Sequence, residues 1–215
     1  MTEFSNLDIV VIAGYFIALV VLGFAVGRTQ ERSSEDYFLA GRSLPWYVVG
    51  ASFIGSNIST EHFIGMIAAA YTYGICVAQW EWGNVFAFSV LVWFFIPFLL
   101  SSRVFTAPEF LERRYNSACR LMFAVLTVVA NITAFLAAVL YASAIGLKAV
   151  FAWPDTVAIA GVNVSTLVLG VVGMGVVAGS YAIYGGLRSV AWTDVFQVVV
   201  MVIGGILVTL LGLSY

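Results

Sequence analysis

Between Arg42 and Arg103 the chain reads SLPWYVVGASFIGSNISTEHFIGMIAAAYTYGICVAQWEWGNVFAFSVLVWFFIPFLLSS, residues 43–102. Glu61, His62 and Glu81 are its only charged or titratable groups, tyrosines and cysteines aside. A membrane-spanning helix needs roughly 20 apolar residues, so this stretch holds two spans and not one or four. Other uncharged tracts run over 9–27, 121–147, 156–187 and 195–215. The whole chain of 215 residues is 62% hydrophobic and 9% charged, with a mean hydropathy of +1.04. Soluble domains carry about 25% charged residues. So few polar side chains cannot cover a soluble surface, and the chain reads as an all-α integral membrane protein whose partner is the lipid bilayer. The formal charge of −2 offers no basic surface, which excludes nucleic acid as a partner.

Cytoplasmic loops collect Lys and Arg, so parity orients the spans. With Arg28, Arg32 and Arg42 inside after one span, Glu3 and Asp8 lie outside. Two spans between Arg42 and Arg103 return the chain to the inner side, where Arg103, Arg113, Arg114 and Arg120 gather. Two more fit between Arg120 and Arg188, with an outer turn at 148–155 marked by Pro154. One last crossing follows Arg188. Six spans thus place all eight arginines inside, and the lone Lys148 and the N-terminus outside. This is the orientation of a multi-pass plasma (inner) membrane protein. The first span, 8–27, is followed rather than preceded by arginines and reads as a retained helix, not a signal peptide.

Smaller features read as structural. Cys76 falls near the outer face and Cys119 near the inner one, so they cannot pair. The glycosylation sequons at Asn57, Asn131 and Asn163 lie at or near membrane depth and read as chance matches. Gly23 with Gly27, and Gly175 with Gly179, have the spacing that lets helices approach closely. Thr106 with Glu109 forms a capping-box pattern around Pro108, predicting a short interfacial helix with Glu112, Arg113 and Arg114 toward water.

Misplaced polarity points to function. Ser52, Ser56 and Thr60 recur every four residues, and Asn57 with Glu61 on the adjoining strip, which makes a polar stripe on one helix face. Such a stripe is disfavoured against lipid and must face protein, water or a ligand. One reading is interhelical hydrogen bonding. Another is a non-helical stretch near 56–60 whose freed carbonyls coordinate a small cation. Glu61 and His62 could also relay a proton. In the next span Glu81 and Asn84 share a face, flanked by Trp80 and Trp82. The tryptophans suit an interfacial belt or stacking on a ligand; with His62, the set looks like a hydrogen-bonding pocket for a polar solute. A single His cannot make a typical zinc site, and no nucleophile–base pair or phosphate loop is evident. No enzymatic activity and no cofactor are expected.

Several blocks in order resemble the sodium:solute symporter family: Tyr37-Phe-Leu-Ala-Gly-Arg-Ser-Leu-Pro-Trp46, Gly50-Ala-Ser52, Ser56-Asn-Ile-Ser-Thr-Glu-His-Phe-Ile-Gly65, Glu81-Trp82 and Pro108-Glu-Phe110. So do Tyr181-Ala-Ile-Tyr-Gly-Gly-Leu187, Trp192-Thr-Asp194 and Gln197, taking the resemblance to about residues 37–197. The segment around His62 with Glu81 and Trp82 is most similar to the sodium/glucose cotransporter branch, which also takes galactose and inositols. The proline, pantothenate and iodide branches are less similar.

The resemblance implies sodium-coupled symport of a sugar or related polyol by alternating access, with sodium as the coupling ion. It also implies a LeuT-like core of two inverted five-helix repeats preceded by one extra helix. On this chain, a single membrane domain over 1–215, the extra helix is 8–27 and the first repeat 44–215. The backbone carbonyls of Gly55 and Ile58 would ligate sodium, and His62, Glu81, Asn84 and Asn57 would hydrogen-bond the solute. Met66 and Trp80 would form the outer gate. Asp194 matches an acidic position linked to the sodium path, or else caps its helix or partners Arg188. The chain stops after the first repeat, so it is expected to be the front part of a longer transporter that does not drive uptake alone. The alternatives are a non-transporting truncated membrane scaffold and a small transporter completed by dimerisation.

Overall fold

Backbone groups inside hydrocarbon must be satisfied within the segment that carries them, and the apolar tracts accordingly form helices. The structure, a computed structural model, describes residues 5–28, 34–58, 60, 62–102, 104, 106–159 and 161–214. Glu3, Arg32, Glu61 and Arg103, on which parts of the charge and stripe readings fall, lie outside the described residues.

The first span, α1 (Asn6–Gly27), starts at a capping box: Asp8 Oδ2 accepts the Ser5 N–H at 3.0 Å and Ser5 Oγ accepts the Leu7 N–H at 3.4 Å. A strap follows, made of α2 (Ser34–Leu39) and a 3₁₀ turn at Ala40–Arg42. Pro45 sits at the N-cap of α3 (Trp46–Asn57), where its missing N–H costs nothing. A π-helical turn at His62–Met66 leads into α4 (Ile67–Tyr73). Gly74 stops α4 at φ 74, ψ −157, a conformation that L side chains avoid. Beyond it lie α5 (Gln79–Val90), α6 (Ile96–Ser101), α7 (Ala107–Arg114), α8 (Ser117–Ala130) and α9 (Ala137–Val150). A hairpin of β1 (Thr156–Ile159) and β2 (Val162–Ser165) precedes α10 (Thr166–Ser214).

Among the described residues, four helical stretches are long and apolar enough to cross a membrane: Asn6–Gly27, Ile67–Ser101, Ser117–Val150 and Thr166–Ser214. At 1.5 Å per residue, the 49 residues of α10 exceed twice the roughly 30 Å hydrocarbon thickness. Gly186, at φ 55 and ψ −154, breaks α10 into two spans. Among the described residues this makes five spans, with α3 a further short helix, which is compatible with the expected count of about six. The hairpin corrects the sequence reading of 156–187 as one helical tract. Val157, Ile159, Val162 and Val164 alternate with smaller or polar residues, a period-2 pattern that pairs as strands. The turn expected at 148–155 therefore extends to Ser165. Thr166 closes it, its hydroxyl donating to the Pro154 carbonyl at 2.5 Å and its N–H to that of Asp155 at 3.1 Å.

The described chain forms two compact units, 1–59 with 143–215, and 60–142. In the first, α10 is the spine. Gly23 and Gly27 of α1 let it come close: a Cβ at Gly27 would lie 2.8 Å from the Gly185 Cα, and one at Gly23 would lie 2.9 Å from the Tyr181 Cβ. Gly179, in the second small-residue pair, has nothing within 4 Å. Phe196 stacks on Tyr15 of α1 at 5.6 Å, and Trp192 meets Tyr47 of α3 edge-on at 6.4 Å. In the second unit α7 is the expected interfacial helix. Thr106 Oγ1 accepts the Glu109 N–H at 3.3 Å, while the Glu109 carboxylate takes Arg113 at 2.6 Å. Arg113 also donates to the Ser102 carbonyl at 3.0 Å, tying α7 to the end of α6.

Candidate ion and solute site

The end of α3 is the local feature from which the candidate ion site grows. Ser56 Oγ and Asn57 Nδ2 both turn back and donate to the Phe53 carbonyl, at 3.2 and 2.7 Å. The Ile58 N–H still reaches the Ile54 carbonyl at 3.1 Å, and Ile58 itself is extended, at φ −93 and ψ 118. The helix therefore ends at the polar stretch of its tract. Gly55 lies in its last turn.

On the side of α3 facing α10, Ser52 Oγ donates to Asp194 Oδ2 at 2.5 Å. One turn on, Gly55 makes room: a Cβ there would lie 3.3 Å from the Asp194 Cβ and 3.2 Å from Val198 Cγ2. Asp194 is buried. The i, i+3 pair Ser52 and Gly55 thus receives the i, i+4 pair Asp194 and Val198. Within the expected stripe, Ser52 crosses to another helix, whereas Ser56 and Asn57 bond within their own turn. Asp194 pairs with Ser52 rather than with Arg188.

The second unit holds the other expected group. His62 opens the π-helical turn and Glu81 lies in the first turn of α5. His62 Nε2 and Glu81 Oε1 are 3.3 Å apart, with side chains 30% and 46% exposed. Asn84, three residues on along α5, and Met66 are half-buried. Trp80 and Trp82 flank Glu81 with most of their surface open. An imidazole beside a carboxylate offers a donor and an acceptor together, which suits a hydroxyl group.

A profile of the sodium:solute symporter family matches residues 37–214. The chain belongs to the sodium:solute symporter family. This member is 36% identical over 214 residues to a sodium/glucose cotransporter of Vibrio parahaemolyticus, covering 98% of the chain and 37% of that protein. It is 32% identical over 208 residues to the human sodium/myo-inositol cotransporter, covering 96% of the chain and 27% of that protein. Among solved structures, the substrate-bound outward-open state of a Na+-coupled sialic acid symporter superposes with a TM-score of 0.78 at 24% identity. That match covers 95% of this chain and 40% of the other, and shows a common fold. The chain thus spans between about a quarter and two fifths of the length of these relatives.

Sequence reasoning placed Ser52 in the stripe without its partner and passed over the roles of Tyr37, Gly185, Gly186 and Ser189. The signal for the glycines was present: a Gly-Gly pair inside an apolar helical tract is costly unless the backbone needs it.

Proposed function

We propose that this symporter-family chain contributes to sodium-coupled symport of a sugar or related polyol by alternating access. The observation that carries the reading is the end of α3 at Asn57 with Ile58 extended, at the polar stretch within a long hydrophobic tract. A helix C-terminus carries partial negative charge, and its free carbonyls are hard oxygen ligands suited to a small cation. The Gly55 and Ile58 carbonyls are assigned to sodium. Asp194, held by Ser52, is assigned to the ion's path, where a buried carboxylate attracts a cation. His62, Glu81 and Asn84 are assigned to solute hydroxyls and Asn57 to the same task by its place in the motif, with Met66 and Trp80 as the outer gate. The names of the relatives, sodium/glucose and sodium/myo-inositol cotransporters, support a neutral polyhydroxylated solute.

In this reading the arginine-rich loops are cytoplasmic, the N-terminus lies outside the plasma membrane, and residues 44–215 form the first five-helix repeat of a single membrane domain. One sodium moving inward down the potential gains about 2.3 kcal/mol per 100 mV. Linkage requires that sodium and solute each raise the other's affinity by the same factor.

Binding of labelled glucose, galactose and myo-inositol to the chain in nanodiscs, in sodium and in choline, tests this. At least one solute should bind tighter in sodium, by roughly 5- to 150-fold. Glu81→Gln should weaken that binding by about tenfold or more, the loss of a hydrogen bond to a charged group. Binding indifferent to both sodium and Glu81→Gln would sink the reading.

A further inference from the structure

The break in α10 is held from outside the helix. In a continuous helix the Ile183 carbonyl would accept the N–H of Leu187; the backbone rotation at Gly186 takes that N–H away. Tyr37, on the strap, supplies the substitute: its hydroxyl donates to the Ile183 carbonyl at 3.1 Å. The strap also lies against the break itself, since a Cβ at Gly186 would sit 2.5 Å from the Tyr37 carbonyl oxygen and 3.0 Å from its ring. Just beyond the break, Ser189 Oγ donates to the Gly23 carbonyl of α1 at 2.6 Å, wholly buried. Further along the same helix Asp194 meets Ser52. Hydrogen bonds with the strap, α1 and α3 therefore follow one another along α10, and the first sits on the hinge.

We infer that Tyr37 is a positioning residue, which holds the Gly186 kink and thereby sets the register in which Asp194 meets Ser52. The strap is more than a connection between the first two spans. Whatever moves Tyr37 off Ile183 releases the hinge and lets the distal half of α10 shift against α3. The meaning of that shift for the ion rests on the role proposed above for Asp194; the brace itself does not.

The test uses the full chain in nanodiscs, with Cys76→Ser and Cys119→Ser and no solute or sodium gradient. Spin labels are placed at the exposed positions Val49 on α3 and Val199 on α10. An isotope-labelled Ile183 carbonyl is read by infrared spectroscopy. Tyr37→Phe keeps the ring and loses the donor, so the Ile183 band should move to higher frequency and the single Val49–Val199 distance should broaden or shift. Gly186→Ala, which attacks the hinge from its other side, should change the distance distribution as well. An unmoved Ile183 band overturns the inference, and so does a moved band with an unchanged distance distribution. Because both readouts work without ligand, failure of the transport reading leaves them interpretable.

Discussion

Gly186→Ala is the most demanding perturbation of the first unit, and its size follows from two independent contacts. The backbone there, at φ 55 and ψ −154, lies in a region essentially confined to glycine. Holding an L residue in it costs about 1–3 kcal/mol. The new methyl would also sit 2.5 Å from the Tyr37 carbonyl oxygen, a backbone atom that cannot swing away. Overpacking of that kind costs about 1–3 kcal/mol. Against these stands the lower entropy of the unfolded chain, worth about 0.4–1 kcal/mol. The expected net loss is about 1–6 kcal/mol. Should the helix straighten to escape the strain, the Ser189–Gly23 and Ser52–Asp194 bonds are disturbed instead, so relaxation brings its own loss. Reversible unfolding in mixed detergent micelles, followed by tryptophan fluorescence and circular dichroism, measures the change. Gly173→Ala is the control: nothing lies within 4 Å of its Cβ position, so it should be neutral or stabilising. If Gly186→Ala were within about 0.5 kcal/mol of the parent, the range of an ordinary surface substitution, the argument from the kink would be wrong.

Other expectations are smaller. Ser52→Ala removes the hydroxyl on the buried Asp194 carboxylate and should destabilise the first unit by about 1.5–3 kcal/mol; an unaltered unfolding midpoint would count against the bond. Thr106→Ala removes the N-cap of α7 and should cost about 1 kcal/mol. The check is amide hydrogen exchange in α7, which should rise there and not in α8. At the outer turn, the hydrogen bond and charge of Lys148 hold the Asp155 carboxyl below the usual carboxylate range. A pKa depressed in the folded state gives stability that is present above the ordinary value of about 3.9 and is lost as pH falls through the lower, native one. Lys148→Met should bring the Asp155 titration back up toward about 3.9 by NMR; an unmoved titration would show that the pair is not its cause.

Much of the fold was legible because membrane insertion depends on sums over long tracts. The long apolar run from 43 to 102, interrupted by Glu61, His62 and Glu81, and the grouping of arginines need no tertiary contact to be read. The interfacial helix after Thr106 was equally local, since a cap and its Pro act within one turn. The β-hairpin at 156–165 was missed because its valines satisfy a hydropathy average as well as a helix does, and the alternation is short. The site was legible by halves. His62 and Glu81 stood out as titratable groups interrupting a long hydrophobic tract, and the structure brings them to 3.3 Å. The pairing of Ser52 with Asp194 was not legible, because 142 residues separate them and only the packing of α3 on α10 decides which carboxylate each hydroxyl meets.

Sequence alone determined that this chain lives in a bilayer, about how many times it crosses, and which rare polar groups interrupt its hydrophobic tracts. Those properties are additive: hydrocarbon charges each residue separately for its polarity. Tertiary structure decided where the long final helix breaks and what holds the break. The Gly185-Gly186 pair is permissive by itself, since a glycine allows a kink without requiring one. Only the close approach of Gly27 to Gly185, the Tyr37 hydroxyl on the Ile183 carbonyl and the fit of Asp194 against Ser52 and Gly55 select this kink and this register. These are contacts between segments far apart in the chain, which no local sum over residues contains.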